Sequence, residues 1–307
     1  MRIFAEILLI GAALPLFASF DSTAWMASRA DRVREAERLR TAYAKCAAAV
    51  QEPAENVSVP VENYPDGSVK ASVVAERAQI FLKDGLIWCA GVKIRQFRPD
   101  GSVESEIDAA NCVVDRTTRS GWADGDAKAT YRGEAYLSGA GIYFSAKDEY
   151  VMMTTNVCLK ADGNLLRARS ADYDRKAGIA MFEGGVEVER EEKGQNYRLT
   201  CDRAFAFIRG TNDVQKIVAL GGVNVQSEDK SGACERAVYR KVGGAARITM
   251  FGGESNEFAR LSVAGDRKGS VEGRRIRFWL DSEQVEVLDS RISVETNGLQ
   301  LPRGLKQ

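Results

Sequence analysis

Leu166–Val188, LRARSADYDRKAGIAMFEGGVEV, is one copy of a pattern that decides the fold. Leu166, Ala168, Ala171 and Tyr173 are spaced by two, three and two residues, and Gly184-Gly185-Val186-x-Val188 follows. Steps of two are strand steps, which keep side chains on one face. The step of three inserts one residue, so the same face stays buried only if the strand bends or bulges there. The glycines mark a second bend, in the strand that returns.

The pattern recurs. Leu199-x-Cys201-x-x-Ala204-x-Ala206 and Val73-x-Ala75-x-x-Ala78-x-Ile80 are further copies. Aligned on Ala78, Ala110, Ala140, Ala171, Ala204 and Ala237, the copies are 32, 30, 31, 33 and 33 residues apart. Gly232-x-Cys234-x-x-Ala237-x-Tyr239 is degraded, and Arg274–Phe278 is looser still. Gly91-Val92-x-Ile94 and Gly221-Gly222-Val223-x-Val225 repeat the second half, and Gly252-Gly253 echoes it. No GxxxxGK follows these glycines and no helix begins there, which excludes a phosphate-binding loop. A two-strand unit cannot bury its own apolar face, but a stack of units can. The expectation is an all-β, stacked-repeat folded sheet over residues 57–296, with the six alanines along one corner line.

Outside the repeat, Arg2 precedes an apolar run from Ile3 to Phe20 interrupted only by Glu6. As a helix it would span about 27 Å. This fits either an uncleaved inner-membrane anchor over residues 1–24 or a signal peptide cut near Ser22-Thr23-Ala24. Both readings export the rest of the chain. Residues 27–52 turn helical, with Val33, Ala36, Leu39, Tyr43, Ala47 and Val50 at three- and four-residue steps. So narrow a stripe suits a spacer helix in solvent; a cap on the end of the next domain and a membrane-surface helix are the other readings. Residues 297–307 read as a frayed tail.

Composition narrows the chemistry. Histidine is absent, which removes histidine-based acid–base and nucleophile systems and nearly all catalytic zinc sites. Lysine plus arginine and aspartate plus glutamate stand at 43 each, so no net field argues for nucleic acid. Cys46, Cys89, Cys112, Cys158, Cys201 and Cys234 form no CxxC pair. They read as buried thiols, or as one or two disulfides in an oxidising compartment. The chain is therefore expected to be a binding protein, not an enzyme, with no cofactor and no metal site.

Leu-x-Ala-x-x-Ala-x-Tyr followed by Gly-Gly-Val-x-Val, behind an export signal, resembles the OstA-like periplasmic proteins of lipopolysaccharide export (the LptA/LptC family), the LptC type above all. Leu166–Val188 and Leu199–Val225 carry the resemblance, Val69–Ile94 more weakly. It implies a β-taco or β-jelly roll whose apolar interior holds the acyl chains of lipid A, and sheet edges that pair with partner jelly-roll proteins and inner-membrane transporter domains. About 240 strand residues exceed the usual LptC domain and the helix is extra, which leaves an LptA-like bridge open. Repeat phase names the lipid-binding candidates: Ile80, Val92, Ile94, Ile142, Tyr173, Val186, Val188, Val223, Val225 and Tyr239, with Cys112 in the same phase. Glu76-Arg77, Asp202-Arg203 and Glu235-Arg236 read as solvated edge charges or as contacts for lipid phosphates. The rival classes are an exported structural or adhesive β-helix without cargo, and a β-helix lyase or hydrolase with a charged cluster on one face.

Overall fold

The computed structural model describes residues 22–291 apart from 132, 134, 146, 162–163, 193–194, 210–212, 229, 243–244, 254–256, 264–268 and 280–284. The apolar run Ile3–Phe20 and the tail 297–307 lie outside the described residues. Among the described residues one helix, α1 (Ser22–Ala49), precedes seventeen strands, and all registers described below are antiparallel. The chain is all-β with an N-terminal helix, and it divides into two compact units.

The first unit comprises Met1–Asp162, Ala168–Ala180 and Ile208–Asp213. It holds α1, β1 (Ala54–Asn63), β2 (Val69–Phe81), β3 (Leu86–Phe97), β4 (Val103–Asp115), β5 (Ser120–Tyr131), β6 (Ala135–Ser145), β7 (Tyr150–Ala161) and β9 (Ser170–Asp174). Each of β1 to β7 pairs with the next, and β7 pairs with β9. The register slips at Ala109/Asn111, Ala123/Asp126 and Ser138/Ala140, and the strand is interrupted at Arg169, just before β9. The slips at Ala109/Asn111 and Ser138/Ala140 and the break at Arg169 fall at the step of three, whereas Ala123/Asp126 lies in a returning strand. Gly91, Gly125, Gly141 and Asn156 take positive φ beside them, forming a crease that divides the sheet into two walls.

All six marker alanines lie on strands, but not on one line. Ala78 and Ala171 share a rank with Cys89, Cys112, Ala123, Ile142 and Met153. Ala110 and Ala140 stand two residues away, on the crease itself. The reason is the bulge: its extra residue is placed differently in successive strands, so equal sequence phase does not give equal register.

The second unit, Gly163–Arg167, Met181–Phe207 and Val214–Gln307, holds β8 (Asn164–Ala168), most of β10 (Ile179–Glu192), β11 (Gln195–Arg209), β12 (Asp213–Gln226), β13 (Lys230–Val242), β14 (Ala245–Phe251), β15 (Ala259–Val263), β16 (Gly269–Trp279) and β17 (Val285–Arg291). Both β13 and β16 pair with β14 along one half and with β15 along the other. Met250, Ala259, Leu261, Ile276 and Phe278 form its core.

The glycine pairs earn their place by geometry. Gly221 has φ +76°, and a Cβ there would stand 2.9 Å from Cβ and Cγ of Asp202. Gly185 has φ +73° with no atom near such a Cβ. Gly221→Ala should therefore lose about 1–3 kcal/mol in urea unfolding, and Gly185→Ala less, since it bears backbone strain alone. Equal losses would show that the Asp202 contact is irrelevant.

Candidate functional site

In the first unit, the wall between the crease and the turns that follow β2, β4 and β9 has an inner and an outer face. Two ranks look inward: Ile80–Ile87–Val114–Gly121–Phe144–Val151–Tyr173, and the Ala78–Ala171 rank above. Across the crease, the second wall presents Val73–Ile94–Ile107–Ala129–Leu137 and Ala75–Val92–Ala109–Ala127–Gly139. The walls face each other: Ile107, Ala127, Ala129 and Leu137 of one line the same cavity as Ile142, Val151 and Met153 of the other.

That cavity measures about 10 Å³, the room of one water. Phe144 lies over Gly121, where a Cβ would also stand 2.8 Å from the carbonyl of Val113. Side chains thus fill the interior midway along the stack. Toward β2 it opens. Phe144 and Val151 are buried, whereas Ile80 at the end of their rank is 54% exposed.

The sequence-derived candidates fall into two groups. In the first unit Val92 and Ile142 are buried, Ile94 and Tyr173 half-buried, and Ile80 marks the open end. In the second unit Val186 and Val223 are fully enclosed, and Val188, Val225 and Tyr239 are half-buried. Tyr239 stands in register with Ile248, and Ile248 with Phe278; Val225 stands opposite Gly232. All six cysteines are free; Cys46, Cys89, Cys112 and Cys201 are buried, and Cys89 stands opposite Cys112.

The charges next to the repeat alanines have local contacts. Glu76 lies against Gly91 and Asp202 against Gly221. The Arg77 guanidinium lies 5.9 Å over the Trp88 ring, and that of Arg203 donates to Glu183 at 3.0 Å. Arg236 lies 4.2 Å over Phe251, beside a hollow of about 370 Å³ that Glu235, Gly252, Gly253, Glu257 and Arg274 also line.

The helix is neither a spacer in solvent nor a cap on the end of the stack: it packs on a face of the sheet. α1 crosses the outer face of the first wall, where Trp88–Val113–Trp122–Tyr143–Met152–Asp172 and Leu86–Asp115–Ser120–Ser145–Tyr150–Asp174 form two ranks. Ala36, Leu39 and Cys46 pack on Trp88, Val113, Trp122, Tyr143, Tyr150 and Met152. The buried side of the helix also carries arginines, which is why an apolar stripe alone misplaces it. Arg29 Nε donates to Asp172 at 3.0 Å, Arg32 Nη1 to Asp174 at 2.8 Å and Arg38 Nη2 to Asp115 at 2.7 Å. The Tyr150 hydroxyl donates to Asp172, and the Arg32 guanidinium lies 4.0 Å over the Tyr150 ring. Burial, with Asp172 alongside, raises the Tyr150 phenol far above its ordinary value, and burial pushes Tyr143 up to about 12.

Asp115 gives this packing a pH dependence. Burial disfavours its charge, but Arg38 and the Thr117 and Thr118 amides outweigh this and hold it below the ordinary 3.8. A carboxylate depressed on folding stabilises fully above its unfolded pKa and loses that contribution as pH falls through the folded one. On acidification below about pH 4, the thermal midpoint should drop more in the wild type than in Arg38→Gln. Parallel pH profiles would remove Asp115 from the account.

Sequence reasoning missed this outer face, though a signal existed. Ile87-Trp88-Cys89-Ala90 and Tyr150-Val151-Met152-Met153 are continuous apolar runs, the mark of strands buried on both sides. Among the described residues no helix is long and apolar enough to cross a membrane. No model of a known protein family matches the chain, and no curated protein matches it.

Proposed function

We propose that this chain is a periplasmic carrier in lipopolysaccharide export, holding acyl chains between the two apolar walls of a creased sheet and passing them on by pairing of its terminal strands. The observation that carries the reading is the inner face of the first unit. Its ranks are apolar or small across seven strands, hinge on a line of bulges, and reach solvent at Ile80. A crease of bulges lets facing walls part without breaking the ladder within either wall, and the exposed end gives an alkyl chain a place to enter. We assign hand-over to β1, the first strand of the meander.

The second reading is a structural or adhesive β-repeat without cargo. The gap of about 10 Å³ between the walls favours it, because side chains already fill the interior.

Photo-crosslinking separates the two. A benzophenone residue in place of Ile80, an exposed position that tolerates it, should capture lipopolysaccharide in cells that make it. One in place of Leu82, which is 81% exposed in the adjoining turn, should capture far less. Capture at neither position, from a protein shown to be folded, favours the structural repeat.

A further inference from the structure

The four turns at one end of the first unit form a row. They are 82–85 between β2 and β3, 116–119 between β4 and β5, 147–149 between β6 and β7, and 175–178 between β9 and β10. Their last residues, Gly85, Arg119, Glu149 and Gly178, share a positive φ of 54–67°. Neighbouring turns are stitched together: the Arg116 amide donates to the Gly85 carbonyl and the Arg175 amide to the Glu149 carbonyl, both at 3.0 Å, and Lys176 Nζ donates to the Lys147 carbonyl at 2.7 Å. Turns set two strands apart make a row about 29 Å long.

The row is basic. Lys83, Arg116, Arg119 and Lys147 are exposed, and none has an ion-pair partner among the described residues. Arg175 pairs with Glu149, and Lys176 adds a further exposed cation. Asp84 and Asp148 are the remaining acids. At the opposite end of the strands, the turns Pro65-Asp66-Gly67-Ser68 and Pro99-Asp100-Gly101-Ser102 present aspartates instead. A chain balanced at 43 charges of each sign thus gathers unpaired cations along one rim of one unit. Mixed charge placed only for solubility would not sort by end.

We propose that this rim docks on an anionic lipid bilayer surface. Two observations favour a bilayer over other polyanions. Leu82 stands among the cations at 81% exposure, an apolar side chain where a headgroup region would accept it. The rank Leu86–Asp174 just inside the turns is covered by α1, and the apolar run Ile3–Phe20 leads into that helix in sequence. The inference does not rest on lipid being carried between the walls.

The test uses the full chain and vesicles of two compositions, pure phosphatidylcholine and phosphatidylcholine with about one third phosphatidylglycerol. Apolar insertion contributes to both, so the ratio of the two affinities isolates charge. Wild type should prefer the anionic vesicles, and salt should weaken that preference. Each cation near an anionic surface is worth about fivefold in affinity. Lys83→Gln, Arg116→Gln, Arg119→Gln and Lys147→Gln combined should thus lower the ratio at least about tenfold, with phosphatidylcholine binding unchanged. All four side chains are exposed, so far-ultraviolet circular dichroism should match the wild type. An unchanged ratio in the folded variant, or no anionic preference in the wild type, overturns the proposal. Tighter binding of duplex DNA than of the anionic vesicles also overturns it and reassigns the rim to nucleic acid.

Discussion

Asp172→Ala is expected to destabilise the first unit by about 3–5 kcal/mol, the range for removing one member of a buried, hydrogen-bonded ion pair. The Asp172 side chain is fully enclosed, and its two oxygens are divided between α1 and the sheet. One accepts from Arg29 and the other from the Tyr150 hydroxyl, while Arg32 covers the ring of that tyrosine and pairs with Asp174. Alanine would remove the shared acceptor and leave the phenol donor where water scarcely reaches. Asp172→Asn keeps an acceptor but no charge, and should lose less. Urea unfolding measures both, and an alanine variant within about 1 kcal/mol of wild type would show that the cluster does not hold the helix.

Leu39→Ala should destabilise by about 2–5 kcal/mol, through lost transfer energy and the cavity left between helix and sheet. Leu39 is fully buried in the cluster that includes Trp88, Val113 and Trp122. Val33 belongs to the stripe read from sequence, yet it is 40% exposed, and Val33→Ala should change stability by no more than about 0.5 kcal/mol. Tryptophan fluorescence reports the difference directly, because a loosened helix would uncover Trp88 and Trp122. Equal effects at the two positions would mean that α1 does not lie on the wall as described.

The contrast between Leu39 and Val33 shows what sequence could convey. Apolar periodicity found a helix and named Ala36, Leu39 and Tyr43 correctly, but it could not count Arg29 and Arg32 as part of the packed face. Their partners, Asp172 and Asp174, are 142 to 143 residues away, and spacing along one strand gives no sign of them. The strands were more legible. The recurring step of three located the bulges at Ala109/Asn111 and Ser138/Ala140, because an inserted residue is a local event written in local spacing. The register between repeats was not legible: where each bulge absorbs its extra residue depends on the partner strand, and so the marker alanines occupy two ranks. Of the groove candidates, Ile80, Ile142 and Tyr173 share the inward face of the first wall, and Val92 and Ile94 that of the second. Phase could not show that Phe144 and a row of alanines fill the space between the walls.

The central claim is that these walls part to admit acyl chains. The distance between them, with and without lipid, tests it most directly. Spin labels on unnatural side chains at Lys128, exposed on the second wall, and at Ala47, exposed on the helix that covers the first, would span the interior without touching the native thiols. Adding lipopolysaccharide should lengthen the distance by several ångströms, and adding its deacylated saccharide should not. An unchanged distance with lipopolysaccharide bound, or an equal change with the saccharide, would contradict the account.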